Sequence, residues 1–149
     1  MKNQKGFSLV ELLVVVIIIA IIAAIAIPSL LASRRAANEA SAISSLRTVH
    51  SANVTYFGTT GLNTNYGDLA ALLGDGLIDS QLGGGAKSGY TFAANTGASI
   101  YCASGVATTQ GTTGVRSFAV DETGVVVFYA DGSAACAAGV KGAAGTPIQ

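Results

Sequence analysis

The sequence contains few charged residues: eight basic and eight acidic side chains in 149 residues, with a formal net charge of zero. Half of the residues are apolar. This composition is too apolar for a disordered chain and low in charge for a soluble domain. A balanced charge gives no reason to expect a polyanionic partner such as nucleic acid. The length suits one domain with one modest core.

Ionisable side chains are missing altogether from residues 12–33. The stretch K-G-F-S-L-V-E, Lys5 to Glu11, leads directly into L-L-V-V-V-I-I-I-A-I-I-A-A-I-A-I. As a helix, residues 7–33 would measure about 40 Å, which is enough to cross a membrane. Because a charge in a hydrocarbon layer is unfavourable, the acid Glu11 at the edge of this run requires an explanation.

A secretory signal peptide is the main alternative for the apolar run, and Ala24-Ile25-Ala26 would serve as its cleavage site. Two features oppose this alternative. A signal peptide has no use for an acid at the position of Glu11. The helical pattern also resumes directly after Pro28, although a proline would kink a helix there.

The stretch after Pro28, residues 29–57, contains neither glycine nor proline. It predicts an amphipathic helix continuous with the apolar one, giving a single helix over residues 8–57 of about 75 Å that ends before Gly58 and Gly61. The charged residues Arg34, Arg35, Glu39 and Arg47 are predicted to lie largely off its domain-facing side. Spacings of three and four place these residues on that side: Ala36, Ala40, Ile43, Leu46, Val49, Asn53 and Phe57.

The remainder of the chain predicts a small antiparallel sheet packed on the amphipathic half of the helix, an α+β fold. Residues 68–73 and 78–82 predict short helical turns. Aromatic or β-branched runs predict strands that begin at Gly89, Ser99, Val115 and Val125. Turns are expected at residues 121–124 and 131–132. We expect a mobile loop over residues 106–114 and a frayed tail from residue 139.

Side chains with catalytic chemistry are scarce. The single histidine, His50, has no cysteine or second histidine nearby for a metal site, so a surface or domain-packing role is favoured. No spacing typical of an activated nucleophile is present. The sequence therefore predicts a protein that is not an enzyme and needs no cofactor.

The two cysteines, Cys102 and Cys136, lie 34 positions apart in the C-terminal half. If this half is exported, a single disulfide is the simplest interpretation. The alternative is two reduced cysteines that act as small buried hydrophobic residues.

A short basic leader, then Gly6-Phe7-Ser8-Leu9-Val10-Glu11, then an apolar helix with Pro28 resembles the type IV pilins and their relatives, the type II secretion pseudopilins. The resemblance is specific over residues 1–35. Beyond residue 57 it is one of layout: a helical spine, a variable loop, a small sheet and a late cysteine pair. G-V-R-S-F-A-V-D-E-T-G-V-V-V-F also looks like the closing hairpin of many small bacterial pilins.

This resemblance implies that a prepilin peptidase cuts between Gly6 and Phe7 and that the new amine of Phe7 is methylated. It implies that Glu11 matters for assembly and that Pro28 is the helix-kink proline. The implied divisions are a leader (1–6), a transmembrane and filament-core helix (7–33), an amphipathic half (34–57) and a globular head (58–149) with variable loop, sheet and disulfide loop. Asp121, Glu122 and Asp131 would offer calcium ligands, as in some pseudopilins, although turn chemistry explains them more simply.

The function expected from the resemblance is that of a structural subunit that polymerises through its helix into a type IV pilus filament. Its expected partners are copies of itself, the prepilin peptidase, the assembly platform and a cytoplasmic ATPase. The chain would wait as a single-pass protein of the cytoplasmic membrane and then become extracellular. A pseudopilin, a minor pilin and, less favoured, an exported domain with a conventional signal are the alternatives.

Cleavage at Gly6 would create a cation one helical turn from Glu11. The carboxylate would then pair with the Phe7 amine of its own chain or of a neighbour. We favour the neighbour, because a charge pair between chains would fix the axial register of an otherwise featureless apolar bundle. The alternative is that Glu11 only caps the helix.

Overall fold

A computed structural model describes residues 6–97, 99–133, 136–137, 140–142 and 145–148. The predicted leader lies outside these residues, except for Gly6. The chain divides into two units, Met1–Arg34 and Arg35–Gln149.

In the first unit, helix α1 begins at Leu9 and runs through Pro28; it ends at Gly58 in the second unit, so its bounds are Leu9–Gly58. This confirms the predicted helix to within one residue at each end. The apolar part is exposed throughout, apart from the partly exposed Ala23. It is long and apolar enough to cross a membrane by length and composition.

In the second unit, α1 buries one face against the sheet. Leu46, Val49 and Asn53 lie on this face as predicted, but Ala36 and Ala40 are exposed. The buried positions are Glu39, Ala42, Ser45, Leu46, Val49, Ala52 and Asn53. The prediction that Glu39 lies off the face was therefore wrong. The face keeps its helical spacing but includes a charged residue, because Val115 and Arg116 supply partners for that charge.

Two short helices follow, α2 (Leu69–Gly74) and α3 (Ser80–Gly83). Each begins after an aspartate whose side chain accepts a hydrogen bond from the third backbone N–H that follows it: Asp68 from Ala71 and Asp79 from Leu82, both at 2.8 Å. Such N-caps satisfy donors that a helix leaves unpaired at its start. These helices confirm the two predicted helical turns.

The main sheet is antiparallel with strand order β1-β2-β3-β4-β5-β8. A separate two-stranded hairpin consists of β6 and β7. The strands are β1 (Ala86–Lys87), β2 (Tyr90–Gly97), β3 (Ile100–Ala107), β4 (Ser117–Asp121), β5 (Val127–Tyr129), β6 (Cys136–Ala137), β7 (Val140–Lys141) and β8 (Thr146–Pro147).

The four predicted strands correspond to β2, β3, β4 and β5, with somewhat different ends. The predicted mobile loop over residues 106–114 is corrected in two ways. Its first two residues belong to β3. The rest is tied to α1, since Arg35 donates to the Gly111 carbonyl at 3.1 Å and Asn38 to the Thr113 carbonyl at 2.9 Å.

The expectation of a frayed tail is also wrong for β8, which pairs with β5 in the main sheet. In addition, the Ile148 backbone N–H donates to the Val126 carbonyl at 2.9 Å. The core lies between the buried face of α1 and the sheet, and its largest fully buried side chains are Tyr90, Tyr101, Phe118 and Leu46.

Candidate processing and assembly site

The start of α1 is stabilised by capping hydrogen bonds that the side chains of Ser8 and Glu11 accept from backbone N–H groups. The Glu11 carboxylate accepts a hydrogen bond from the Ser8 backbone N–H at 3.0 Å through Oε2. The Ser8 hydroxyl accepts one from the Val10 backbone N–H at 3.3 Å. Ser-x-x-Glu is the sequence pattern of a capping box, in which side chains of the first turn satisfy its free backbone donors. Glu11 therefore has a role within its own chain before any processing.

Gly6 and Phe7 precede this cap without regular secondary structure. Phe7 is 87% exposed, and among the described residues beyond its chain neighbours no atom lies within 4 Å of the position where a side chain on Gly6 would begin. Both residues of the Gly6–Phe7 peptide bond are exposed. The Phe7 nitrogen is one residue from the Ser8 N–H that Glu11 already binds, so an amine formed there would lie near the carboxylate.

Among the described residues of the first unit, the apolar surface that follows has no packing partner. Every large aliphatic side chain from Leu9 to Leu31 remains between 47% and 80% exposed. Monomeric soluble proteins rarely expose a continuous apolar surface of this size, so it requires a lipid or protein environment. The alanines Ala20, Ala23, Ala24 and Ala26 would let neighbouring helices approach closely.

Pro28 lies inside α1, with helix continuing on both sides. Its missing N–H leaves the Ala24 carbonyl without the usual helical donor. The helix therefore lacks one backbone hydrogen bond at this point, whichever environment surrounds it.

The disulfide between Cys102 and Cys136 is formed, with a Cα–Cα distance of 5.6 Å. It confirms the predicted pairing. Cys102 is buried in β3, and Cys136 begins the β6–β7 hairpin. The Asn95 side chain donates to the Cys136 carbonyl at 2.8 Å, and the Tyr129 hydroxyl donates to the Gly142 carbonyl at 2.8 Å. The disulfide and these two bonds hold the hairpin to the main sheet.

Glu39 and Arg116 form an ion pair between α1 and the segment leading into β4. Glu39 Oε2 lies 2.7 Å from Arg116 Nη2 and 2.9 Å from its Nε. The other oxygen accepts from the backbone N–H groups of Val115 at 2.9 Å and Arg116 at 3.1 Å. The guanidinium carbon also lies 5.3 Å from the Phe128 ring centre. No local sequence pattern indicates this pair, since the two residues are 77 positions apart.

The electrostatic surroundings of Glu39 favour its charged form. Desolvation by burial raises the pKa of Glu39, but hydrogen bonds from the Val115 and Arg116 backbone and from the Arg116 side chain outweigh it. The pKa is therefore lowered from its ordinary value of 4.5. Nearby, burial and the Glu39 charge raise the pKa of Tyr90 to about 12. Tyr90 thus stays protonated and donates to the Arg116 carbonyl at 2.8 Å.

His50 packs inside the second unit, as the sequence favoured. Its Nδ1 lies 2.6 Å from the Tyr101 hydroxyl. Burial raises the pKa of Tyr101, and the nearby acid Asp121 adds to the effect. The Tyr101 ring is also 4.8 Å from that of Tyr66. His50 therefore links the helix to β3, which gives it a structural role.

The three acids considered for calcium belong to turns. The Asp121 carboxylate accepts hydrogen bonds from the backbone N–H and the hydroxyl of Thr123. The Asp131 carboxylate accepts from the same two groups of Ser133, and these bonds lower its pKa. Glu122 is exposed. Within the described part of the chain, no three His, Cys, Asp or Glu side chains are grouped so as to hold a metal ion. Calcium binding stays a prediction.

Together, the long N-terminal apolar helix and the six-stranded antiparallel sheet form the α+β arrangement of pilins. Residues 1–27 match the family described as the prokaryotic N-terminal methylation motif. Comparison with curated proteins and with solved structures finds no match. The motif confirms the resemblance to the type IV pilin family over this segment: the chain carries the prepilin signal of type IV pilins and pseudopilins.

The motif thus indicates a pilin or pseudopilin precursor that is anchored in a membrane, processed by a prepilin peptidase and later assembled into a filament. Such proteins are structural.

Proposed function

We propose that this chain is the structural subunit of a type IV pilus, polymerising through its N-terminal helix into an extracellular filament. The observation that carries the proposal is the helix surface of residues 9–31, which is apolar on all sides and exposed, behind a prepilin signal. A helix apolar all round needs a membrane or a bundle of similar helices. The membrane would hold the precursor and the bundle would hold the mature subunit.

The processing step of the proposal is cleavage between Gly6 and Phe7 followed by methylation of the Phe7 amine. Support comes from the position of both residues within the matched motif and from the exposure of Phe7. Cleavage removes the basic leader and creates a new positive charge beside the cap of Ser8 and Glu11.

In assembly, Glu11 pairs with the Phe7 amine of an adjacent subunit. The carboxylate uses only Oε2 in its bond to Ser8, and in the described residues Oε1 has no hydrogen-bond partner. One oxygen can therefore cap its own helix while the other meets a neighbouring amine. The weakened hydrogen bonding at Pro28 would allow the helix to unwind locally during packing. A membrane assembly platform would supply the subunits, and a cytoplasmic ATPase would supply the energy for assembly.

Fibres sheared from the cell surface test the main proposal. Abundant filaments composed of this chain, with Phe7 as the mature N-terminus in sequencing, are the expected result. A cell without surface fibres, in which the chain nevertheless begins at Phe7 and secretion fails on its deletion, would contradict the pilus and support the pseudopilin. A mature N-terminus at Ile27 would instead identify a conventional signal peptide.

A further inference from the structure

Side chains that lose a single electron easily are few in this chain, and nearly all of them are tyrosines. The sequence contains no tryptophan, its single methionine is Met1, and both cysteines are joined in the Cys102–Cys136 disulfide. The five tyrosines are therefore the side chains most open to one-electron oxidation. Three of them are buried in the second unit: Tyr90, Tyr101 and Tyr129.

The three buried tyrosines differ in the group that meets the hydroxyl. Tyr90 and Tyr129 each donate to a backbone carbonyl at 2.8 Å. The Tyr101 hydroxyl instead lies 2.6 Å from Nδ1 of His50. A backbone carbonyl accepts a hydrogen bond but is too weak a base to take the proton, whereas a neutral imidazole nitrogen takes protons readily. Among the buried tyrosines, Tyr101 is thus the one whose hydroxyl meets a base.

The hydrogen bond between Tyr101 and His50 has a definite direction. Tyr101 is fully buried, and burial raises the pKa of its hydroxyl, so the oxygen keeps its proton. Among the described residues, this hydroxyl has no hydrogen-bond partner other than His50. The phenol therefore donates to Nδ1, and the ring proton of the neutral imidazole lies on Nε2. A proton that leaves Tyr101 has a base at hydrogen-bond distance.

A positive charge on His50 would have acids close to it. The segment between β4 and β5 packs on the imidazole, since a side chain at Gly124 would begin 2.8 Å from Nε2. Asp121 and Glu122 belong to the same segment, and the charges of both reach Tyr101, where they add to the raised pKa of the hydroxyl. Because opposite charges attract more strongly away from bulk water, these carboxylates would stabilise an imidazolium formed here.

The Tyr101 ring is connected to the surface through Tyr66. The centres of the two rings lie 4.8 Å apart, and Tyr66 is partly exposed whereas Tyr101 is not. An electron can cross from one ring to another at this spacing without contact between Tyr101 and the oxidant. A proton cannot follow that route, so it needs an acceptor beside the hydroxyl, and His50 is that acceptor.

We propose that Tyr101 and His50 form a redox site, which an outer-sphere one-electron oxidant at the protein surface reaches through Tyr66. The oxidant gains one electron from Tyr101, and the O–H bond of the phenol breaks as its proton moves to Nδ1 of His50. The products are the reduced oxidant, a neutral tyrosyl radical and an imidazolium. When an electron returns, the proton moves back from Nδ1 to the phenol oxygen.

The site selects Tyr101 over Tyr90 and Tyr129 through the base. A phenol that has lost an electron is strongly acidic, and the electron returns at once unless the proton can leave. Tyr90 and Tyr129 offer that proton only a carbonyl. The radical on Tyr101 is also fully buried, so it cannot couple with a tyrosine of another chain. We therefore expect it to live longer than radicals on exposed tyrosines.

Flash photolysis of the full chain in non-ionic detergent micelles tests the site without requiring filaments. The oxidant is tris(bipyridine)ruthenium(III), which the flash generates. Wild type should form a tyrosyl radical, seen by optical absorption and electron paramagnetic resonance, that outlives those of the partly exposed Tyr56 and Tyr66. Tyr101→Phe should lose this long-lived radical. The matched controls Tyr90→Phe and Tyr129→Phe, which also remove one buried hydroxyl, should keep it.

His50→Gln separates the base from the hydrogen bond. The glutamine amide can accept from the Tyr101 hydroxyl but cannot take its proton, so the long-lived radical should be lost while the unfolding midpoint stays near that of wild type. A long-lived radical in folded His50→Gln or in Tyr101→Phe, equal to that of wild type, would overturn the proposal.

Heavy water gives a readout that needs no variant. If the proton moves together with the electron, formation of the long-lived radical in wild type should be slower in heavy water than in ordinary water. An identical rate in the two solvents, or no long-lived radical in wild type, would leave the contact between Tyr101 and His50 as a structural hydrogen bond alone.

Discussion

Glu39 is an acid on the buried face of a helix, and its charge is kept there by four donors. Two are backbone N–H groups before β4, and two belong to the Arg116 guanidinium. Removing the carboxylate leaves the two backbone donors without an acceptor, while the Arg116 side chain, 43% exposed, keeps access to water. The pair therefore fixes α1 to the sheet mainly by satisfying the backbone.

Glu39→Ala should lower the free energy of unfolding by about 2 kcal/mol, because buried donors are left unsatisfied. The measurement is denaturant unfolding of the full chain in micelles, followed by tyrosine fluorescence. Glu122→Ala is the matched control, since this exposed acid has no hydrogen bond among the described residues; it should change little. Equal effects of the two substitutions would show that the hydrogen bonds of Glu39 contribute no stability beyond that of an exposed acid.

The same residue predicts a loss of stability in acid. Because the folded-state pKa of Glu39 is lowered, its contribution is fully present above the unfolded value near 4.5 and is lost as the pH falls through the lower folded value. The difference in stability between wild type and Glu39→Ala should therefore be constant at neutral pH and shrink below about 4.5. A difference that does not vary down to about pH 3 would contradict this account.

The ion pair between Glu39 and Arg116 could not be predicted from the sequence. The spacing of Leu46, Val49 and Asn53 predicted the buried face correctly, because apolar periodicity reports burial. The same rule excluded Glu39, since a charge is buried only with a partner. That partner, Arg116, belongs to a segment whose distance from α1 depends on the whole fold.

At the scale of elements, the strands were predictable where their sequence is aromatic or β-branched. Strands β2 to β5 meet that description. Strand β8 does not: it consists of Thr146 and Pro147 and is set by pairing with Val127 and Phe128. The β6–β7 hairpin is also short, and its attachment depends on Cys136. Tertiary contacts fix these elements, so local pattern could not predict them.

The disulfide should matter most for that hairpin. The double substitution Cys102→Ala and Cys136→Ala releases a loop of 34 residues, which costs about 3–4 kcal/mol in the chain-entropy account. Unfolding midpoints of the double variant and of dithiothreitol-reduced wild type should fall together. Hydrogen exchange should rise first around residues 136–142. An unchanged midpoint would mean that the remaining contacts, including Asn95 to Cys136, suffice.

Helix α1 carries a weak point at Pro28 that can be removed. Pro28→Ala restores a donor for the Ala24 carbonyl, and interior proline disfavours a helix by about 3 kcal/mol relative to alanine. Amide exchange of the full chain in micelles should slow in peptides covering residues 24–32. Ser29→Ala is the neighbouring control and should leave exchange unchanged. Identical exchange in wild type and Pro28→Ala would mean that the proline does not weaken the helix.

At the scale of the whole molecule, the sequence predicted the class of protein well because the prepilin signal is a pattern of neighbouring residues. The bond proposed for cleavage, the acid and the apolar run all lie within residues 1–27, where the family match also lies. For the head, only a layout was predictable. Its strand order depends on which strands become neighbours in the folded chain, and no local pattern specifies that.

The cap at Ser8 makes the two roles of Glu11 separable. Glutamine also serves in a capping box, so Glu11→Gln keeps an acceptor for the Ser8 N–H but removes the charge. If Glu11 pairs with the Phe7 amine of a neighbouring subunit, Glu11→Gln should give far fewer filaments, or filaments of altered helical symmetry. Precursor level, leader removal and monomer stability should stay normal.

Glu122→Gln removes the same charge from an exposed turn and should assemble as wild type does. Electron microscopy of sheared fibres measures both yield and symmetry. Normal filaments from Glu11→Gln would leave capping as the whole role of this acid.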